Sequence, residues 1–197
     1  MFPETIETDR LRLAARRPKN VDLDECYRIC SSDPGLSEVT EYVEWDSHET
    51  KRETYEFIER GRERWENGEA ASYVIRPREG EAGAGELAGF GGFDVDWDTR
   101  TATLGTWLRK RFWGRGYSGE RAAALVRVAF ADLDLDVVAV SHHPDNENSR
   151  RAVERYVDRF GGRREGRLRN TLTFADGTVH DEVRYTITQE EWRDAVA

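Results

Sequence analysis

Leu104-Gly105-Thr106-Trp107-Leu108-Arg109-Lys110-Arg111-Phe112-Trp113-Gly114-Arg115-Gly116-Tyr117-Ser118-Gly119-Glu120 passes from strand to helix character through a turn that holds two glycines. A turn of this kind lets main-chain N–H groups converge on an anion. The helix that starts behind it adds roughly half a positive charge at its N-terminus. Arg109, Lys110, Arg111 and Arg115 place four cations within seven residues. The segment suits a polyphosphate.

Gly114-Arg115-Gly116-Tyr117-Ser118-Gly119 fits the glycine pattern of dinucleotide-binding turns. That fold also needs an acidic residue about 20 residues on, at the end of the next strand, to hold the ribose. Asp134 and Asp136 instead precede Val137-Val138-Ala139-Val140, at the wrong end of that strand. A nucleotide P-loop is excluded, because no Gly-Lys-Ser or Gly-Lys-Thr occurs.

Outward from this segment, Ser72–Arg76, Glu86–Phe90 and Thr101–Arg109 read as three strands in quick succession, an antiparallel meander foreign to a doubly wound sheet. Glu79–Gly85 reads as a flexible hairpin loop. Upstream, the alternation around Leu11 and Leu13 predicts one strand over 5–13. Helices are expected over 21–32 and over 48–66, the latter capped by Ser47. Downstream, an apolar helical face from Ala122 to Phe130, a buried strand Val137–Val140 and a second helical face from Ala152 to Phe160 follow in turn. Strands over 163–174 and 178–188 close the chain through the Asp176-Gly177 turn. The expected class is α+β, a mixed and mostly antiparallel sheet in a single domain over residues 1–197.

Composition narrows the function. Thirty basic against 39 acidic side chains leave a net charge of −9, and Lys19, Lys51 and Lys110 are the only lysines. Such a chain is a poor general binder of nucleic acid, which is held largely by phosphate neutralisation. No apolar run approaches the roughly 20 residues of a bilayer span, and the first residues lack a signal-peptide pattern, so a cytoplasmic protein away from membranes is expected. Cys26 and Cys30, at i and i+4, read as packed thiols. Asp94-Val95-Asp96-Trp97-Asp98 opens like a calcium loop, but Thr99 and Gly105 stand where that loop requires Gly and Glu. It reads as a polar hairpin, and no metal is expected.

Arg111-Phe112-Trp113-Gly114-Arg115-Gly116 resembles the pyrophosphate loop of the GNAT superfamily of acetyltransferases, Arg/Gln-x-x-Gly-x-Gly/Ala. Asn146-Glu147-Asn148-Ser149 is similar to the Asn-x-x-Ser that opens the next helix in that family. Within the superfamily the chain looks most like the ribosomal-protein N-acetyltransferases of the RimJ/RimL type. The stretches Glu7–Leu13 and Glu165–Asn170, with Asp181, Tyr185 and Glu191-Trp192, fit that pattern. The resemblance implies a GNAT fold with a splayed strand pair, flanked by about four helices, and acetyl-CoA as co-substrate. It implies that main-chain groups at Trp107, Leu108 and Arg109 meet the pantetheine arm, and that N–H groups from Phe112 to Ser118, Gly114, Arg115, Gly116 and Tyr117 among them, hold the pyrophosphate. Asn146 would contact the pantetheine, Ser149 would sit by the sulfur as the catalytic hydroxyl, and Arg169 and Asn170 would line the acceptor cleft. Capping of a helix explains Asn146 and Ser149 equally well.

The implied acceptor is a primary amine, first of all a protein N-terminus. An α-amino group, with a pKa of about 7.7–8, is partly neutral near pH 7, whereas a lysine at about 10.4 costs roughly 4–5 kcal/mol to deprotonate there. A small amine acceptor, or a non-catalytic acyl-CoA-binding module, is the competing expectation, and a homodimer is left open. Thr103 stands where many relatives carry Glu, and Val153 where many carry a Tyr, with Tyr156 three residues later. His142, His143, Asp94 and Asp96 are the candidate bases.

Overall fold

The computed structural model describes residues 1–197. Its elements run β1 (Thr5–Glu7), β2 (Leu11–Ala15), α1 (Leu23–Ser32), α2 (Leu36–Thr40), α3 (Lys51–Glu66), β3 (Ala70–Pro77), β4 (Gly89–Asp96), β5 (Thr101–Leu108), α4 (Tyr117–Arg127), β6 (Val137–His142), α5 (Glu147–Arg159), β7 (Arg163–Thr173), β8 (Val179–Thr188) and α6 (Gln189–Val196). The eight strands form one sheet in the order β1-β2-β3-β4-β5-β6-β8-β7. Every neighbouring pair is antiparallel except β5 and β6, which are joined through α4 and run parallel. This is the expected α+β architecture, with six helices rather than about four.

Alternation along the strands sorts their side chains between two faces. Val74 and Phe90 face α1 and α3, where Cys26, Ile29, Cys30 and Ile58 complete a small core. The larger core lies on the face covered by α4 and α5, built from Leu104, Leu125, Val126, Val138, Val140, Val153 and Tyr185. Both cysteines are free and buried, as packed thiols should be. No helix is long and apolar enough to cross a membrane.

Local chemistry moves several boundaries. The first alternating stretch is two strands, since Thr8–Arg10 turns and Ile6 pairs back onto Leu13. The third helix is capped by Thr50, which accepts the Glu53 N–H through its hydroxyl, and not by Ser47. Leu87 and Ala88 are fully buried but lie before β4, because Gly89 is the first residue to pair with Leu108. The short helix α2 and the capping-box helix α6 go beyond the periodicity, which is weak over so few residues.

The turn between β1 and β2 is bolted to the start of α4 through Glu120. One carboxylate oxygen accepts from the Thr8 hydroxyl at 2.6 Å and the Arg10 N–H at 2.8 Å, and the other from Arg10 Nε at 2.7 Å. Burial alone would raise this carboxyl's pKa, but the bonds from Thr8 and Arg10 outweigh it and hold the pKa below the usual range. The folded value is depressed, so the contribution to stability is present above the unfolded pKa and fades as pH falls through the folded one. Glu120→Ala should therefore lower the urea midpoint at pH 7 by the equivalent of about 2–3 kcal/mol, and the difference from the parent should shrink as pH falls below about 4.

Candidate active site

The β5–β6 ladder ends early. Thr101 to Leu104 pair with Val137 to Val140, and beyond Leu104 the two strands part. β5 remains paired with β4 as far as Leu108, and β6 with β8 as far as His142. Each arm is thus held on its outer side while the inner edges, Gly105–Leu108 and Ser141–His142, diverge into a fork.

The turn after β5 closes the wide end of the fork. Gly114 and Gly116 take φ of 75° and 79°, left-handed values that a glycine adopts without strain. The Phe112 and Trp113 N–H groups bond to the carbonyls of Arg109 and Lys110. The main-chain N–H groups from Gly114 through Gly119, by contrast, have no partner, and the first return bond is Glu120 N–H to the Gly116 carbonyl. The run of free amides that could cradle an anion therefore covers 114–119, two residues later at its start than the sequence implied. Phe112 packs beneath it, fully buried, and the Trp113 indole donates to the Leu108 carbonyl at 2.8 Å, tying the cradle to the open β5 edge.

The four cations of this segment do not form a free patch. Arg109 makes a two-pronged pair with Asp33 and donates to the Leu87 carbonyl. Lys110 meets Glu38, Arg111 meets Glu86 at 2.7 Å, and Arg115 donates to the Ala82 carbonyl. In so acidic a chain three of the four find a local carboxylate, whereas Arg115 is held only by a carbonyl and keeps its charge beside the free amides and the helix terminus. Both main-chain groups of Arg109 are also taken, its N–H by Ala88 and its carbonyl by Phe112. Strand alternation turns the main-chain groups of Trp107 toward β4 as well, so the open edge is presented by Thr106 and by the Leu108 N–H, and the expected contacts at Trp107 and Arg109 are not available there.

Asn146 caps α5 by accepting the Ser149 N–H at 2.9 Å, and the half-buried Ser149 hydroxyl makes no hydrogen bond of its own. The capping role is thus real, and it leaves the serine oxygen free in the first turn of α5, the helix that follows the β6 arm. Val153 and Tyr156 are both buried, and burial pushes the Tyr156 phenol up to about 12 against an opposing pull from Arg121.

A chain of polar groups runs from the β6 arm to the surface. The Asp145 N–H donates to His143 Nδ1 at 3.2 Å, which puts the ring proton on Nε2, 3.2 Å from His180 Nδ1. His180 Nε2 lies 2.8 Å from the Thr178 hydroxyl, which donates to Asp176. Burial lowers the His143 pKa below its ordinary 6.5. Asp145 opposes the shift, and His180, Arg167 and His142 add to it. The partners of His142 are the His143 carbonyl and, at 3.4 Å, the Tyr185 hydroxyl.

Residues 41–49 strap the opening. Tyr42 stacks on His143 with ring centroids 5.0 Å apart, and Trp45 packs on Trp107 at the same distance, so the segment touches both arms. Sequence reasoning missed it because no periodicity marks an aromatic pair that meets different strands.

Other expected residues lie elsewhere. Asp94 and Asp96 sit opposite Thr103 and Thr101, at the closed end of the β5–β6 ladder, where Arg64 pairs with Asp94 and the Asp98 and Thr99 amides bond to Asp96. They lie beside the paired part of β5 and away from its open edge. Arg169 and Asn170 lie on an exposed bulge of the outer strand β7, with the Asn170 N–H held by Asp181. No hydrogen bond links either to the fork.

The acetyltransferase (GNAT) domain model matches residues 10–156. A Bacillus subtilis (strain 168) protein named "Putative ribosomal N-acetyltransferase YdaF" is 34% identical over 99 residues, 50% of this chain and 51% of that protein, so the match spans about half of the relative. The microcin C7 self-immunity acetyltransferase MccE, solved with acetyl-CoA and AMP, superposes with a TM-score of 0.78 at 20% identity, over 95% of this chain and 97% of that one. RimL, a ribosomal L7/L12 α-N-protein acetyltransferase, gives 0.76 at 20% identity over 94% of each chain. At that identity the two structures speak for the fold.

The cradle makes a sharp expectation. A side chain on Gly114 would meet no protein atom, would stand among the free amides, and would itself be strained at φ 75°. Gly114→Val should abolish the calorimetric heat of CoA binding, whereas circular dichroism stays that of a folded chain with a melting temperature a few degrees lower.

Proposed function

This chain belongs to the GNAT acetyltransferase family, and on that premise we propose that the protein, as one domain over residues 1–197, transfers the acetyl group of acetyl-CoA to the α-amino group of a protein. The observation that carries the reading is the run of partnerless amides from Gly114 to Gly119 beside an open β5 edge. A pyrophosphate satisfies the amides, and an extended amide-containing arm satisfies the edge. The residues present fit acetyl-CoA, with Arg115 the one cation of the segment that no carboxylate neutralises. Acetyl-CoA supplies an acyl carbon open to attack and a sulfur able to leave.

The protein's own groups divide the work. The amides of 114–119 hold the phosphates, and the outward main-chain groups of Thr106 and Leu108 align the arm. The Asn146 side-chain N–H groups remain to bind it, because capping uses only the oxygen. Positioning of this kind supplies much of the rate of an acyl transfer. Ser149 donates a hydrogen bond to the departing sulfur. On the opposite face His143 takes the proton released by the amine at Nδ1, in exchange for the long 3.2 Å contact from the Asp145 N–H, and its Nε2 proton moves on along His180 and Thr178 toward Asp176. Its lowered pKa keeps it neutral, and thus able to accept, under mildly acidic conditions.

The protein-terminus acceptor is favoured over a lysine because an α-amino group needs only a weak base, and a histidine is one. Glu41, Glu44 and Asp46, exposed on the strap, attract a cationic acceptor of any size, so a small amine is the competing substrate. Incubation with acetyl-CoA, a panel of N-terminal peptides and a panel of small amines, followed by thiol release, separates the two. Peptide turnover with small amines silent supports the proposal. CoA binding with every amine silent contradicts it.

Two variants test the assignments. Ser149→Ala should lower kcat about tenfold with CoA affinity unchanged. In the parent the acid limb of kcat/KM should fall below pH 6.5, because His143 protonates there, and His143→Gln should remove that limb together with most of the activity.

A further inference from the structure

A guanidinium lies buried at the fork with nothing to neutralise it. Arg121, one turn into α4, is 2% exposed. Its Nη1 donates to the Gly105 carbonyl at 3.2 Å, and Gly105 is the first β5 residue past the last β5–β6 pair. Its buried Nε has no hydrogen-bond partner. No carboxylate pairs with it, and the titratable group that acts on it is the Tyr156 phenol of α5.

The sheet is shaped to admit this side chain. A Cβ at Gly91 would lie 2.6 Å from Arg121 Cδ, so the arginine crosses β4 and β5 over a position that has no side chain. Taking a guanidinium out of water without a counter-charge is strongly unfavourable, and an apolar side chain of similar length would avoid that penalty. Folding alone therefore gives no reason for the charge. An anion that arrives later does.

Position selects the anion. The phosphate cradle joins the open β5 edge at its Leu108 end, through the Trp113 indole. Gly105 lies at the other end, three strand steps or about 10 Å away. A carrier whose phosphates sit at the cradle brings its reactive end toward Gly105, on the α4 and α5 side where Ser149 also stands. This step rests on the reading of acetyl-CoA along β5.

We propose that Arg121 is a fixed positive charge that stabilises the sulfur as it leaves. As the amine nitrogen bonds to the acyl carbon, the carbon–sulfur bond breaks and its electron pair stays on sulfur. Arg121 stabilises that pair through space until a proton from solvent, balancing the one the amine gives up to His143, makes the thiol. The charge need not move, because guanidinium keeps its proton throughout. A preorganised charge in a water-poor site is the most effective kind.

The test reads the ionisation of the CoA thiol by its thiolate ultraviolet absorbance across a pH series, free and bound to the protein. Bound to the parent, the thiol should ionise about one pH unit or more below free CoA. Arg121→Met should fold with an equal or higher melting temperature and bind CoA with affinity within about threefold. It should return the thiol toward its free value and lower kcat about tenfold, whereas Arg121→Lys keeps most of both effects. A parent protein that binds CoA with an unshifted thiol overturns the proposal even if the methionine variant does not fold. An Arg121→Met variant with parental thiol ionisation and kcat overturns it as well. Absence of CoA binding by the parent overturns this inference together with the reading beneath it.

Discussion

The parting of β5 from β6 after Leu104 and Val140 is the constraint on which the rest depends. Main-chain N–H and C=O groups removed from water are almost always paired, so an inner strand edge left open in the middle of a sheet calls for a partner. Here both arms stay fastened on their outer sides, to β4 and to β8, and the fork cannot collapse without tearing one of those ladders. The cradle from Gly114 to Gly119 lies next to it and is fixed from two directions. Glu120 ties the first turn of α4 to the β1–β2 turn, and Trp113 ties the loop to Leu108. Two sets of unpaired amides are thereby held rigid before any ligand arrives, which reduces the ordering cost of binding.

The fork also separates the chemistry by face. Strand alternation sends Trp107 and His143 toward α1 and α3, where Trp45 and Tyr42 pack on them. Leu104 and Thr106 face the other way, toward α4, the side that carries Arg121, with the Ser149 helix beside it. In the proposed reaction an amine arriving beneath the strap would meet a neutral histidine whose proton path leads away to a surface carboxylate, and the leaving group would depart toward a cation and a hydroxyl. Neither set competes for the other's proton, because the sheet stands between them.

Much of this was legible in the residues. The two glycines of the turn, the strand before them and the helix after them predicted the cradle, because a left-handed turn before a helix is a local property. The Asn146–Ser149 cap was local too. What escaped was set by distant partners. Four neighbouring cations looked like a phosphate patch, yet Asp33, Glu38, Glu86 and the Ala82 carbonyl, which the fold folds back against them, hold all four. Asp94 and Asp96 are plausible bases by residue type and fail by register, two and four residues beyond the Gly92–Gly105 pair and away from the open edge. Arg169 and Asn170 fall on a bulge pinned by Asp181, which a linear pattern does not reveal. Ser47 lies too early to cap: the His48 N–H is bonded to the Cys30 carbonyl, and the helix starts behind Thr50, whose hydroxyl takes the Glu53 N–H.

Hydrogen exchange of the main-chain amides with and without CoA tests the central claim most directly. The open β5 edge over Gly105–Leu108 and the cradle over Gly114–Gly119 should gain protection together on addition of CoA, with the β3–β4 ladder unaffected. Unchanged exchange over both segments at saturating CoA, or protection confined to a different surface, would contradict it.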